Sequence, residues 1–233
     1  MRFPDDGPTG PGEESVTAYD RVADCYDDHF DRPVDRWEDE RLTELLAPHV
    51  NRQSVLDLGC GTGWLLDHLD PYAYTGVDCS AAMLERLSHK HPWASTVKAT
   101  VGQLGWWAGL DEHACQARTV TATWSAHELG EPALLLAQLA QMFPPRTMVC
   151  LHGQGPRYRH RRHYVLPEDD RRGYLRWTPE HCKMAASRTG HDWLGAVGTG
   201  AWPDALAWHP PWRATLGLPA RWHYAFLAMW RLR

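Results

Sequence analysis

Ser54-Val55-Leu56-Asp57-Leu58-Gly59-Cys60-Gly61-Thr62-Gly63-Trp64-Leu65-Leu66-Asp67-His68-Leu69 is the stretch that decides the fold. Val55, Leu56 and Leu58 form a short apolar run, the pattern of a strand buried on both faces. Gly59, Gly61 and Gly63 follow at alternate positions, and Trp64, Leu65, Leu66 and Leu69 then fall at helical spacing. A strand, a glycine turn and a helix in this order open a doubly wound α/β unit. Glycine admits positive φ and carries no Cβ, so a ligand can lie against the backbone while the next helix aims free N–H groups at it. The spacing is Gly-x-Gly-x-Gly. A dinucleotide fingerprint places its third glycine one residue later, at Trp64, and a phosphate-binding Walker loop ends in Gly-Lys-Ser/Thr, which is absent.

Ala73-Tyr74-Thr75-Gly76-Val77 reads as the next strand and ends in Asp78. An acidic residue roughly 20 positions beyond a glycine turn is placed to accept from both hydroxyls of a ribose. Ser80 stands as an N-cap, and Ala82, Met83 and Leu87 mark one face of a helix. Asp57-Leu58-Gly59-Cys60-Gly61-Thr62-Gly63 resembles motif I of the class I S-adenosylmethionine-dependent methyltransferases. Gly76-Val77-Asp78-Cys79-Ser80-Ala81-Ala82-Met83-Leu84 is similar to their motif II. The resemblance implies a Rossmann-like, seven-stranded, mostly parallel sheet with helices on both faces, and S-adenosylmethionine as cofactor.

The chain has 233 residues, 43% hydrophobic and 23% charged, in the range of a globular α/β domain. A net charge of −5 argues against a surface built to wrap nucleic acid. No run reaches the length of a membrane span, and the first residues lack the apolar core of a secretion signal. The 6 cysteines include no Cys-x-x-Cys pair, which suits free thiols in a reducing cytoplasm and offers no zinc site. Isoleucine is absent and lysine scarce, the mark of a GC-rich bacterial coding sequence. The 13 tryptophans are core material by default; an aromatic substrate pocket is the alternative use.

Residues 1–14 are rich in Pro, Gly, Asp and Glu and read as a disordered tail; residues 15–233 read as a single domain. Tyr19, Val22, Ala23, Tyr26 and Phe30 recur at helical spacing. Tyr19-Asp20-Arg21-Val22-Ala23-Asp24-Cys25-Tyr26-Asp27 resembles the N-terminal segment of small-molecule methyltransferases, where it forms a helical lid. An amphipathic helix with both tyrosines in the core is the plainer alternative. Pro33 breaks this helix, and Val34, Trp37, Leu42, Leu45 and Leu46 predict a second, ending near Pro48 and packed beside the first strand.

Ser95–Val101 reads as the third strand. In the family the turn that follows often carries an Asp that meets the adenine amino group; Gln103 stands there, still an acceptor but uncharged. Trp106 and Trp107 read as packing. Thr119–Thr123 is the fourth strand, and His127, just past it, sits where open α/β sheets place their chemistry. Ala126-His127-Glu128-Leu129 loosely matches a His-containing string of related enzymes. Pro132 starts a helix that Pro144-Pro145 stop, and Thr147–Leu151 is the fifth strand. Arg157 to Arg172 is an arginine-rich, aromatic-interleaved stretch, read as a substrate lid with nucleic-acid contact as the alternative. Thr178-Pro179-Glu180 starts a helix and Gly190 stops it. Trp193–Val197 and Trp222–Leu232 are the closing strands, with a Trp- and Pro-rich covering loop over 200–219 between them.

The resemblance assigns the cofactor to Tyr19, Tyr26, Asp57, Gly59, Cys60, Gly61, Gly63, Asp78, Cys79, Met83, Gly102, Gln103, Leu104 and Trp124. Asp57 and the glycine turn take the methionine end and Asp78 the ribose. His127 is the candidate general base, since histidine titrates near neutrality; the alternative is a histidine satisfied within the strand end. The implied function is methyl transfer to an oxygen or nitrogen of a small molecule in bacterial specialised metabolism. Rival readings are an RNA methyltransferase and a cofactor-binding protein, partner or cyclase, that transfers no methyl.

Overall fold

The computed structural model describes residues 19–30, 33–103, 105–154, 178–199 and 225–233. The expected tail, the arginine-rich stretch 157–172 and the loop 200–219 lie outside the described residues. Seven strands form one sheet: β1 (Ser54–Leu58), β2 (Ala73–Asp78), β3 (Ser95–Lys98), β4 (Thr119–Ala122), β5 (Met148–Gln154), β6 (Asp192–Gly198) and β7 (Ala225–Arg231). Their order is β3-β2-β1-β4-β5-β7-β6. β1 to β5 run parallel, and β7 is antiparallel to both β5 and β6.

Side-chain alternation along the strands sorts the core into two layers. Val55, Tyr74, Cys150 and Leu227 face one side, packed with α1 (Pro33–Val50), α2 (Trp64–His68) and α3 (Ala81–Lys90) through Leu42, Leu46, Leu65 and Leu87. Leu56, Leu58, Val120, Val149, Leu151, Phe226 and Trp230 face the other. There they meet α4 (Glu112–Cys115), α5 (Pro132–Met142) and α6 (Pro179–Thr189) through Ala114, Leu135, Leu139 and Cys182. The fold is a Rossmann-like, mostly parallel seven-stranded sheet with helices on both faces. Strand order reverses between β1 and β4, and the carboxyl ends there open a crevice.

Caps fall where the sequence puts them. The Ser80 hydroxyl accepts from Met83 N, the Thr178 hydroxyl accepts from His181 N, and Gly190 ends α6 at φ 77°. Four boundaries differ. α1 runs through Pro48 to Val50, because in the final turn proline forfeits a single backbone bond. β3 stops at Lys98; one residue later Ala99 N still bonds Asp78 O (2.9 Å), and the chain then folds into a turn closed by Gln103 N on Thr100 O (3.2 Å). β4 stops at Ala122, since Trp124 enters the left-handed region at φ 59°. β5 extends to Gln154 because β7 pairs with it along its whole length. The N-terminal segment is helical over 19–22 and then tightens into 3-10 turns at Ala23–Cys25 and Asp27–Phe30. Trp106 is buried, its Nε1 donating to Gln138 Oε1 (3.1 Å), and Trp107 packs against the same core. No helix among the described residues is long and apolar enough to cross a membrane.

Candidate active site

Three loops at the carboxyl ends of β1, β2 and β4 meet. Gly59 N and Cys60 N both donate to Val77 O, at 2.7 and 3.1 Å. Gly59 and Gly61 hold φ 66° and 52°, conformations that side chains disfavour. A Cβ on Gly59 would lie 2.6 Å from Ser125 Cβ, so the β4 loop can approach only a glycine. Ser125 Oγ donates to Leu58 O (2.7 Å) and fixes that approach. Asp78 ties the β2 loop to the glycine turn: Gly61 N donates to Oδ2 (2.8 Å) and Ser80 N to Oδ1 (2.9 Å).

These loops enclose a cavity of about 610 Å³, open mouth included. Of the residues expected at the cofactor, Tyr19, Tyr26, Gly59, Gly61, Asp78, Cys79, Met83 and Trp124 line it. Ala99, Val101, Thr123, Ser125, Glu128 and Leu129 line it as well, and sequence reasoning passed over them as contacts. Asp57, Cys60, Gly63, Gly102 and Gln103 are not in the lining. Asp57 is fully buried one layer beneath, accepting from Thr121 Oγ1 (2.8 Å) and Tyr74 Oη (3.1 Å). Cys60 is buried against Gly76, where a Cβ would come within 2.7 Å of its sulfur. Gly63 caps α2 at φ 95°, and Gln103 is exposed on its turn. Leu104 lies outside the described residues. His127 is carried on the 3-10 turn Ala126–Glu128.

The N-terminal segment is stitched to each loop in turn. Tyr19 Oη donates to Glu128 Oε1 (2.6 Å). Ser80 Oγ (2.5 Å) and Ala82 N (3.3 Å) donate to Asp20 Oδ1. Thr62 Oγ1 donates to Asp27 Oδ1 (2.5 Å), and Lys90 pairs with Asp27 Oδ2 (3.0 Å). Tyr19 and Tyr26 meet edge to face, ring centres 6.2 Å apart.

Burial shapes the electrostatics. It pushes the Glu128 carboxyl up to about 7; the Tyr19 hydroxyl opposes the rise and the Asp78 charge adds to it. Asp78 is likewise raised by burial, against the pull of the Ser80 and Gly61 amides. Burial, with Asp78 and Glu128 nearby, lifts the Cys79 thiol to about 12, so it stays protonated. Asp57 is raised to about 6 by burial despite its bonds to Thr121 and Tyr74. Beneath the β4 loop, His152 is fully buried and pushed down to about 3. Its Nδ1 accepts from Trp124 N (3.4 Å), so Nε2 carries the proton toward Thr199 Oγ1 (2.6 Å). The Trp124 and His152 rings meet edge on at 4.3 Å. Asp39, on α1, accepts from Trp64 Nε1 (2.8 Å); burial pushes its carboxyl up to about 6, against the pull of the Trp64 and Trp124 indoles. His152 thus holds Trp124 through both its backbone amide and its ring.

A positive-φ glycine turn, an acid at the end of β2 and a crevice at the strand-order reversal define a doubly wound α/β protein. A family model described as a methyltransferase domain matches residues 29–198, and the chain belongs to that family, with the class I S-adenosylmethionine-dependent methyltransferase fold. Solved structures share the fold at low identity. The [4+2]-cyclase SpnF is 15% identical over 97% of this chain and 99% of its own, with a TM-score of 0.65. An S-adenosylmethionine-dependent methyltransferase from Mesorhizobium loti is 18% identical over 83% and 97%, TM-score 0.59. Magnesium protoporphyrin IX methyltransferase from Synechocystis, solved with the cofactor bound, is 11% identical over 95% and 98%, TM-score 0.57. No curated protein sequence matches the chain.

Proposed function

We propose that the protein transfers a methyl group from S-adenosylmethionine to an oxygen or nitrogen of a small molecule. The observation that carries this is the meeting, in one cavity, of the Asp78 carboxylate with the side-chain-free backbone of Gly59 and Gly61. The residues present fit the cofactor. Asp78 accepts from the Gly61 and Ser80 amides and lines the cavity, where its carboxylate would meet a ribose hydroxyl. Ala99, Val101, Met83 and Leu129 offer apolar walls to an adenine ring. Asp57 supports the turn from below. The cofactor supplies an activated methyl on a sulfonium, open to in-line displacement by the acceptor.

The chain's own work is then positional. The glycine turn and Asp78 hold one reactant, the N-terminal segment covers it, and the β4 loop faces the second. The imidazole of His127 is the group proposed to take the acceptor's proton. The proposal extends to a single domain with a helical lid, acting in the cytoplasm of a bacterium on a specialised metabolite. The SpnF cyclase shares this fold with a different reaction, so methyl transfer itself must be measured.

S-adenosylhomocysteine at about a hundredfold over its Kd should stabilise the fold by about 2.7 kcal/mol and raise the melting temperature; NAD should not. Incubation with methyl-labelled S-adenosylmethionine and a panel of small hydroxyl and amine acceptors then reads transfer. A shift with NAD and none with S-adenosylhomocysteine overturns the proposal.

A further inference from the structure

His152 is a buried titratable group that the proposed reaction does not use. It follows Leu151 on β5, and Leu151 pairs with Ala122, the last residue of β4. His152 therefore stands beside the point where the β4 loop leaves the sheet. An apolar side chain would fill that place without penalty, whereas the imidazole is wholly buried and is pushed down to about 3. The ring stays neutral, and both nitrogens bond to loops. Nδ1 accepts from Trp124 N (3.4 Å), and Nε2 donates to Thr199 Oγ1 (2.6 Å) just past β6. Trp124 holds φ 59°, a conformation that a bulky residue keeps only under constraint. Its ring meets the His152 ring edge on, centres 4.3 Å apart. Trp124 lines the cavity. The next residue, Ser125, presses on the glycine turn so closely that a Cβ on Gly59 would lie 2.6 Å from its own Cβ.

We propose that His152 is a positioning residue for the cofactor cavity: by accepting from the Trp124 amide it holds the β4 loop in the left-handed turn that sets the Trp124 wall and seats Ser125 against Gly59. The inference rests on the cofactor assignment above and deepens it. His152 acts through Trp124 and is itself absent from the described lining. Without the Nδ1 acceptor, the Trp124 N–H loses its partner, and the backbone gains by leaving the left-handed region. That relaxation turns the indole and the Ser125 contact together, because the two residues are adjacent. Both bear on the same ligand: the indole as a wall of the cavity, Ser125 through the turn whose Gly59 and Gly61 line it. The other end of the ring fixes its orientation, since the Thr199 hydroxyl accepts from Nε2 and so keeps Nδ1 aimed at the loop.

Calorimetry with S-adenosylhomocysteine on the full chain tests this, at a temperature where circular dichroism shows each variant folded. His152→Leu fills the site but offers no acceptor, and should weaken binding by more than about threefold. His152→Asn brings a carbonyl oxygen to the Nδ1 position, and on a logarithmic scale its affinity should lie nearer to the parent than to His152→Leu. A role confined to stability would lower the melting temperature of both variants and leave the affinities of the folded proteins equal. Hydrogen exchange reads the bond directly: the Trp124 amide should be protected in the parent and exchange faster in His152→Leu. Should His152→Leu fail to fold, protection of that amide in the parent and the affinity of His152→Asn, expected within about threefold of the parent, decide. If His152→Leu binds within about threefold of the parent, if His152→Asn binds as weakly as His152→Leu, or if the parent's Trp124 amide exchanges like an unprotected one, the positioning role is wrong while the cofactor assignment stands. If the parent itself does not bind S-adenosylhomocysteine, the cofactor assignment falls and this inference with it.

Discussion

At the scale of single residues, the site depends on side chains whose surroundings, rather than their types, set their chemistry. Asp78 is the plainest case. It is tied to two loop amides and lines the cavity, so Asp78→Ala should weaken S-adenosylhomocysteine binding by about a hundred- to several-thousand-fold, at roughly 1.5–3 kcal/mol per charged hydrogen bond. It should also cost fold stability, because Gly61 N and Ser80 N lose their acceptor. Calorimetry and denaturant melts separate the two losses; an affinity within threefold of the parent would dismiss the ribose role. His152 makes a prediction of opposite pH sign to the acids. Its native pKa, about 3, lies below the unfolded value of 6.5. Its stabilisation is therefore complete above pH 6.5 and is lost as pH falls toward 3, by about 1.4 kcal/mol per unit. The advantage of the parent over His152→Gln in urea melts should shrink by about 2 kcal/mol between pH 7 and pH 5. Glu128 and Asp57, raised above their unfolded values, stabilise at low pH and lose that contribution as pH rises toward about 7 and about 6. Asp57 and Glu128 also mark where sequence reasoning stops. A strand buried on both faces hides its acid as well, so the burial of Asp57 was legible in Val55-Leu56-Asp57-Leu58. Glu128 had no reading of its own beyond the string Ala126-His127-Glu128-Leu129; its place between Ala126 and Leu129, both buried past a strand end, was the available signal.

At the scale of elements, the glycine turn and the caps were legible because local chemistry alone decides them. The boundaries of β3, β4 and β5 were not, because partners decide them: β7 lengthens β5, and the strained φ of Trp124 ends β4. The N-terminal segment shows the same division. Its period was readable, yet its stitches to Thr62, Ser80 and Glu128 join residues far apart in sequence. Those stitches carry a prediction. Asp20→Ala with Asp27→Ala should remove the contacts of Ser80 and Ala82 with Asp20 and of Thr62 and Lys90 with Asp27, worth about 1 kcal/mol per hydrogen bond, and leave the sheet intact. Limited proteolysis should then cut within 19–30 several-fold faster, and S-adenosylhomocysteine should slow that cutting less than it does in the parent. An unchanged cleavage rate would mean the segment is held by its packed side chains, Ala23 among them.

At the scale of the whole molecule, β7 settles the assembly. It lies between β5 and β6, and its Trp230 is wholly buried, Nε1 donating to Cys182 O on α6 (3.1 Å). β6 stands at the sheet edge with β7 as its neighbour. On the ribosome, β6 therefore emerges well before the strand it pairs with, and β5 waits with an open edge for the same arrival. Such long-range closure is slow and leaves pairing edges bare meanwhile. A nascent chain halted just short of residue 225 would carry an intact glycine turn and Asp78, yet offer two unsatisfied strand edges and an empty slot for Trp230. Cellular quality control would meet that product as a misfolded protein, so a premature stop codon late in the message would be as damaging as one in its middle.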